Sequence, residues 1–187
     1  MTTLRASTVM GVQPGEHVTV RDLLYGLMLP SGNDAAVALA WHVDGSEQAF
    51  VARMNARARA LGLRDTSFVN PHGLDFQSWA GGYTSAYDLA VMTRAALENG
   101  TFRQIVATRT WTARTDRNVY LLQTQNGLLG AYPGADGVKI GWTRRAGQTM
   151  VASAARDGHR LIAVVLGSTN RTGDARRLLD EGWKLTG

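Results

Sequence analysis

The chain contains 187 residues, of which 44% are apolar and 19% are charged, so it carries enough apolar material for a folded core. Cysteine is absent, which excludes disulfides, thiolate metal sites and cysteine nucleophiles. The 20 basic and 15 acidic residues leave a formal net charge of +5. Because the basic residues are dispersed and no aromatic residues interleave with them, we expect no nucleic-acid partner.

Helical periodicity dominates the first part of the chain. Thr19–Asp22 has the pattern of a capping box, and the apolar residues from Leu23 to Met28 recur on one helical face. Residues 30–34 interrupt this pattern with proline, glycine and short polar side chains. Further helices are predicted over Ala35–His42, over Ser46–Leu61, from a cap at Ser85 to near Asn99, and in a short segment through Val106.

Alternating patterns then replace the helical ones. Asp157-Gly158 is a strong signal for a two-residue hairpin between two apolar runs. No apolar run reaches the roughly 18 residues of a membrane-spanning helix, and the first thirty residues lack a signal-peptide pattern. The sequence predicts an α+β fold in one domain over residues 1–187, with a helical part packed on one antiparallel sheet. The predicted strands are Thr108–Ala113, Asn118–Leu122, Gly137–Thr143, Gln148–Arg156 and Leu161–Leu166, and a helix over Thr172–Trp183 follows.

Three short segments carry residue types that are suited to chemistry. Ser31-Gly32-Asn33 lies in the break between two apolar helices, where it either caps a helix or holds a hydroxyl and a carboxamide at a cleft. Lys139, one of only two lysines in the chain, lies on a predicted strand, either as a solvated edge residue or beside a bound peptide. Asn70–Leu74 reads as an ordinary turn in which His72 bridges loop backbone.

Longer stretches around these residues resemble one family. Leu23–Ala36 (LLYGLMLPSGNDAA) resembles the second motif of the serine-type D-alanyl-D-alanine carboxypeptidases, the low-molecular-mass penicillin-binding proteins. Gly134–Thr143 (GADGVKIGWT) resembles their third motif, Lys-Thr-Gly. Asn70–Leu74 and Tyr83–Ala90 lie between the two in the family's order, and Ala146–Gly167 continues the similarity. The resemblance covers nearly the whole chain.

This resemblance implies a fold of the penicillin-binding and serine β-lactamase kind and an acyl-enzyme mechanism. The substrate would be a peptidoglycan stem peptide that ends in D-Ala-D-Ala, and no cofactor would be needed. Ser31 would relay protons, Asn33 would hold a substrate amide, and Lys139 would supply positive charge and proton transfer. The substrate-binding residues would be Ile140, Gly141, Trp142 and Thr143, with the backbone N–H of Trp142 as one arm of the oxyanion hole.

Two departures from the family pattern stand out. No Ser-x-x-Lys motif occurs, because the residues three positions before Lys139 and Lys184 are Asp136 and Glu181. In the family this motif holds the nucleophile and precedes the second motif by several tens of residues. The second departure is Ile140, which occupies the position of a threonine whose hydroxyl receives the substrate carboxylate. Thr143 and the adjacent arginines at 144 and 145 are the predicted substitutes.

The missing motif leads us to expect an N-terminally truncated domain, through a misassigned start or a shortened gene or expression product, or a naturally noncatalytic relative. β-Lactam antibiotics would bind covalently only if the nucleophile were supplied. Loss of the nucleophile's helix would expose apolar surface, so we expect marginal stability or self-association through that surface. The family resemblance also implies a location in the periplasm or at the cell surface.

Other classes of function also fit parts of the sequence. A noncatalytic module that binds D-alanyl peptides is the main alternative. A β-lactamase would need a deacylating glutamate in a Glu-x-x-x-Asn setting, and neither Glu47 nor Glu98 has that spacing. The histidines at 17, 42, 72 and 159 show no ligand spacing, so no metal site is expected.

Overall fold

A computed structural model of the protein describes residues 7–185. Their secondary structure follows the order that the sequence predicts, with helices first, strands next and a helix last. The helices are α1 (Val20–Met28), α2 (Asn33–Asp44), α3 (Glu47–Ala60), α4 (Ala86–Leu97), α5 (Gly100–Ala107) and α6 (Arg171–Lys184), with a 3₁₀ turn at Gln77–Trp79. The strands are β1 (Thr110–Arg114), β2 (Val119–Gln123), β3 (Ala135–Thr143), β4 (Gly147–Arg156) and β5 (His159–Ser168).

Local sequence signals mark several element boundaries correctly. The Thr19 hydroxyl accepts the backbone N–H of Asp22 at 3.0 Å, which confirms the predicted cap of α1. Ser85 caps α4 in the same way through the N–H of Asp88 at 3.1 Å. The Asp157-Gly158 turn joins β4 to β5, and Asp157 has a left-handed φ of 48°.

Contacts divide the chain into two compact units. The first comprises the described residues up to 60 together with 67–83 and 108–125, and thus holds α1, α2, α3, β1 and β2. Within it, Trp111 on β1 stacks on Tyr25 of α1 with ring centroids 4.0 Å apart and donates its indole N–H to Asp22 at 2.7 Å. This stack and this hydrogen bond attach the β1–β2 hairpin to α1.

The second unit comprises residues 61–66, 84–107 and those from 126 onward. Its antiparallel sheet has the order β3-β4-β5, so β3 is an edge strand within the described part of the chain. Helix α6 packs on β4 and β5, and Leu128, Met150 and Leu179 are almost fully buried in the resulting core. This apolar core is the platform on which β3 lies.

The arrangement of the strands corrects one expectation. The sequence predicted one hairpin-connected sheet, whereas β1 and β2 form a two-stranded sheet of their own and β3, β4 and β5 form a second one. Alternation along a strand shows which residues face inward, but it does not identify the neighbouring strand. The α+β class itself is confirmed, and the single incomplete domain stays a prediction.

Membrane insertion through a helix finds no support in residues 7–185. Each helix there is either too short or too polar to cross a bilayer.

Candidate active site

Ser31 occupies a strained backbone position between α1 and α2. Its φ of 65° places a non-glycine residue in the left-handed region, a conformation that concentrates at functional sites. The capping interpretation does not explain Ser31, because the N-cap of α2 is Gly32 and makes no side-chain bond. Within residues 7–185 the Ser31 hydroxyl has no hydrogen-bond partner, and the side chain is half-exposed.

Asn33 is held by the segment that precedes α1. Its backbone N–H donates to the carbonyl of Thr8 at 2.9 Å, and its Nδ2 donates to the Ser7 hydroxyl at 2.8 Å. The residue is only 6% exposed. A buried carboxamide with a fixed donor partner has a defined orientation, which a substrate-binding amide requires.

Two glycines allow the backbone around Ser31 to pack closely. A Cβ on Gly26 would lie 2.3 Å from the Met10 sulfur, and a Cβ on Gly32 would lie 2.8 Å from the Gly26 carbonyl oxygen and 2.9 Å from the Met10 nitrogen. The N–H of Gly32 donates to that carbonyl at 2.9 Å. The loop before α2 is thus fixed by backbone contacts that a side chain would prevent.

Lys139 lies on β3, opposite Val151 of β4. Its ammonium group donates to the carbonyl of Ile140 at 2.7 Å, and the side chain is half-buried. Burial, together with the nearby charge of Arg171, lowers the pKa of Lys139 to about 8. An amine with this pKa can both attract an anion and exchange a proton near neutral pH.

The residues after Lys139 differ in what their side chains contact. The Ile140 side chain packs against the apolar core of the second unit, and its carbonyl accepts a hydrogen bond from the Lys139 ammonium group. Gly141 has no room for a side chain, because a Cβ would lie 2.7 Å from the Thr149 hydroxyl. Trp142 is 67% exposed, and the Thr143 hydroxyl accepts the N–H of Ala146 at 2.9 Å in the turn to β4.

Arg171, at the start of α6, is a candidate site residue that the sequence reasoning missed. Its guanidinium donates to the carbonyl of Gly141 at 2.9 Å and contributes to the lowered pKa of Lys139. The sequence instead predicted Arg144 and Arg145 as partners of the substrate carboxylate, and both are exposed in the β3–β4 turn. The signal in the sequence was its place directly before the predicted helix Thr172–Trp183, where a cation faces the positive end of the helix dipole.

The loop at Asn70–Leu74 confirms its interpretation as a structural turn. The Asn70 carboxamide accepts the N–H groups of His72 and Gly73 and donates to the carbonyl of Leu74 at 2.8 Å. His72 Nδ1 accepts the N–H of Leu74 at 3.2 Å, and its ring meets Trp79 edge-on with centroids 4.8 Å apart. Burial lowers the pKa of His72 to about 4, which keeps the ring neutral at pH 7.

The candidate residues are distributed over both units. Ser31 and Asn33 belong to the first unit, and Lys139 through Thr143, together with Arg171, belong to the second. No group of three or more His, Asp or Glu side chains in residues 7–185 is arranged to hold a metal ion.

Comparison with known proteins identifies the family of this chain. The sequence profile of the D-alanyl-D-alanine carboxypeptidases, peptidase family S11, matches residues 1–170. The chain belongs to this family. The family membership that the motifs indicated is thereby confirmed.

Curated members of the D-alanyl-D-alanine carboxypeptidase family align with almost all of this chain. The carboxypeptidase DacB2 of Mycobacterium tuberculosis is 43% identical over 182 residues, which are 94% of this chain and 62% of the relative. The carboxypeptidase DacF of Bacillus subtilis is 41% identical over 174 residues, which are 90% of this chain and 44% of the relative. The chain therefore spans roughly half of the length of these relatives.

Solved structures confirm the fold that the carboxypeptidase resemblance implied. The Streptomyces K15 DD-transpeptidase matches with a TM-score of 0.90 and 35% identity over 98% of this chain and 74% of its own. The carboxypeptidase DacD from Francisella tularensis matches with a TM-score of 0.86 and 30% identity over 93% of this chain and 54% of its own. Nearly the whole of this chain thus has the α+β fold of these two solved structures.

Proposed function

We propose that this chain is part of a serine-type D-alanyl-D-alanine carboxypeptidase of peptidoglycan metabolism. The observation that carries the proposal is a pair of cations at β3: the half-buried Lys139 on the strand, with a pKa of about 8, and Arg171 of α6, which donates to the Gly141 carbonyl. Family membership supplies the reaction to which this chemistry belongs. A stem peptide that ends in D-Ala-D-Ala is the proposed substrate.

The cations suit the free end of such a peptide. A terminal D-alanine carries a carboxylate, which an ammonium and a guanidinium attract through charge-assisted hydrogen bonds. An edge strand such as β3 also offers backbone groups to an extended peptide, and Gly141 keeps that part of the strand free of a side chain. In the proposed roles, Trp142 contributes its backbone N–H to the oxyanion hole and Asn33 holds a substrate amide.

The proposed reaction proceeds through an acyl-enzyme. A serine hydroxyl attacks the carbonyl carbon between the two D-alanines, the C–N bond breaks, and the hydroxyl proton passes to the departing amine of the terminal D-alanine. Water then hydrolyses the ester. Lys139 and Ser31 are proposed to carry the proton, and an amine with a pKa of about 8 can accept and return it near neutral pH.

The nucleophile itself belongs to a Ser-x-x-Lys motif, and the 187 residues contain none. The second candidate function is a noncatalytic module that binds D-alanyl peptides, which β3 and the cations Lys139 and Arg171 would equally suit. Such a module would use the same cations and the same strand edge, and it would form no ester. In either case the proposed location is the cell envelope outside the cytoplasmic membrane, where peptidoglycan lies.

The mass of the intact protein after incubation with benzylpenicillin distinguishes the two candidates. The β-lactam ring opens without loss of a fragment, so acylation adds the whole mass of the antibiotic. We expect no adduct on the 187-residue chain and one adduct on the protein isolated from its native cells. No adduct on either would favour the binding module. An adduct that maps to Ser31 of the 187-residue chain would contradict the proposed relay role of that residue.

A further inference from the structure

Asp34 makes an unusual set of hydrogen bonds for a residue in the first turn of a helix. Its Oδ1 accepts the backbone N–H of Met10 at 2.7 Å and that of Ala35 at 2.9 Å. Its Oδ2 accepts the N–H groups of Gly11 at 2.7 Å and Val12 at 3.1 Å. A carboxylate offers about four acceptor positions, so these four donors occupy all of them.

Ordinary helix capping explains only one of these bonds. The bond to Ala35 lies within α2, whereas the other three reach a segment 22 to 24 residues earlier in the chain. Three consecutive N–H groups that converge on one carboxylate form a charge-assisted clamp. Asp34 thus fixes the segment 10–12 against the start of α2.

The clamped segment continues into the residues that hold Asn33. Thr8 accepts the backbone N–H of Asn33, and the Ser7 hydroxyl accepts from its side-chain amide. Only Val9 separates Thr8 from Met10, so a displacement of residues 10–12 also displaces both partners of Asn33. A Cβ on Gly32, between Ser31 and Asn33, would lie only 3.1 Å from Asp34 Oδ1. The carboxylate therefore lies directly against the loop that carries Ser31.

We propose that Asp34 is a positioning residue, which holds residues 7–12 in place and thereby fixes the carboxamide of Asn33 for a ligand. This inference rests on the proposed function, because the ligand-binding role of Asn33 belongs to that proposal. Asp34 does not itself contact the ligand, since its acceptor positions are filled. It acts through Ser7, Thr8 and Asn33.

The test is a double-mutant cycle in the 187-residue chain, with an N-acylated D-alanyl-D-alanine dipeptide as the probe. We expect Asp34→Asn and Asn33→Ala each to weaken binding by about tenfold, the size of one lost hydrogen bond. The combined variant should bind no more weakly than Asn33→Ala alone, because Asp34 acts through Asn33. A merely structural role would instead make the two losses add, and that result would overturn the inference, as would unchanged binding in Asp34→Asn.

Asp44→Asn is the matched control, because it removes a carboxylate from the other end of α2, where Asp44 pairs with Arg53. Its binding should equal that of the unsubstituted chain. If Asp34→Asn does not fold, Ser7→Ala serves instead, because it removes the hydrogen bond between the Asn33 side-chain amide and the Ser7 hydroxyl. Unchanged binding in Ser7→Ala would overturn the inference.

A ligand-free measurement separates this inference from the proposed function. In the unsubstituted chain, the side-chain amide protons of Asn33 should be protected from hydrogen exchange, and Asp34→Asn should remove most of that protection. If the unsubstituted chain does not bind the dipeptide, the proposed function fails for this chain, while the exchange data still decide the role of Asp34. Equal protection in both proteins would overturn that role.

Discussion

The two units hold their candidate site residues by different physical means. In the first unit, Asn33 is fixed by hydrogen bonds to Ser7 and Thr8, and Ser31, which has a left-handed backbone, is followed by the closely packed Gly32. In the second unit, Lys139 lies on a strand whose neighbouring residue, Ile140, packs into an apolar core. The comparison shows that a polar clamp can fix a strained loop, whereas apolar burial fixes a regular strand.

The largest expected effect tests the apolar half of this comparison. Leu179→Ala should lower the free energy of unfolding of the chain by about 2–5 kcal/mol, because it leaves a cavity beneath the β3-β4-β5 sheet. Leu179 is 1% exposed, whereas its neighbour Leu178 is 50% exposed. Leu178→Ala is therefore the matched control, with an expected loss of about 0.5 kcal/mol. Equal losses in a urea titration would show that Leu179 does not belong to the stabilising core.

The next effect concerns the first unit and is the pH dependence of stability that the buried His72 causes. The buried His72 has a folded-state pKa of about 4, below its usual value of 6.5, so the unfolded chain takes up a proton first as pH falls. The stabilisation is complete above pH 6.5 and is lost between pH 6.5 and 4, with a maximum loss of about 3 kcal/mol.

Substitution assigns this pH dependence to its residue. His72→Asn should flatten the fall in unfolding free energy between pH 6.5 and 4, whereas His42→Gln, which changes an exposed histidine of α2, should leave it intact. Urea titrations at several pH values measure both. A fall of the same size in His72→Asn would show that another group causes it.

A smaller effect concerns the charge on β3. Because the pKa of Lys139 is about 8, its positive charge is lost as pH rises through that value. Affinity for a peptide that ends in D-Ala-D-Ala should therefore fall by about tenfold between pH 7 and 10. Lys139→Arg should remove this pH dependence, since arginine stays charged. Lys184→Met, which changes the other lysine, should retain it, and a flat profile in the unsubstituted chain would contradict the role of Lys139.

The smallest effect concerns strain. Ser31→Gly should raise the free energy of unfolding by about 1 kcal/mol, because glycine adopts a φ of 65° without steric cost. The matched control is Asp157→Gly, at the other non-glycine residue with positive φ among residues 7–185. Aspartate suits that hairpin turn, so the control should change stability by less than about 0.5 kcal/mol. A destabilised Ser31→Gly would show that Ser31 is not strained.

The sequence by itself determined the local elements and the family. The caps at Thr19 and Ser85, the Asp157-Gly158 hairpin and the motifs around Ser31 and Lys139 depend on neighbouring residues, and neighbours are visible in a sequence. The same local logic predicted the turn at Asn70, whose carboxamide bonds only residues within nine positions of it.

Only the tertiary structure decided which distant residues meet. The division of the strands into two sheets, the approach of Arg171 to Gly141 across 30 positions, and the clamp between Asp34 and residues 10–12 all join segments far apart in the chain. Periodicity specifies the face of an element but not the partner of that face. Those partners are set by packing and by the need to satisfy buried backbone groups, which are properties of the whole fold.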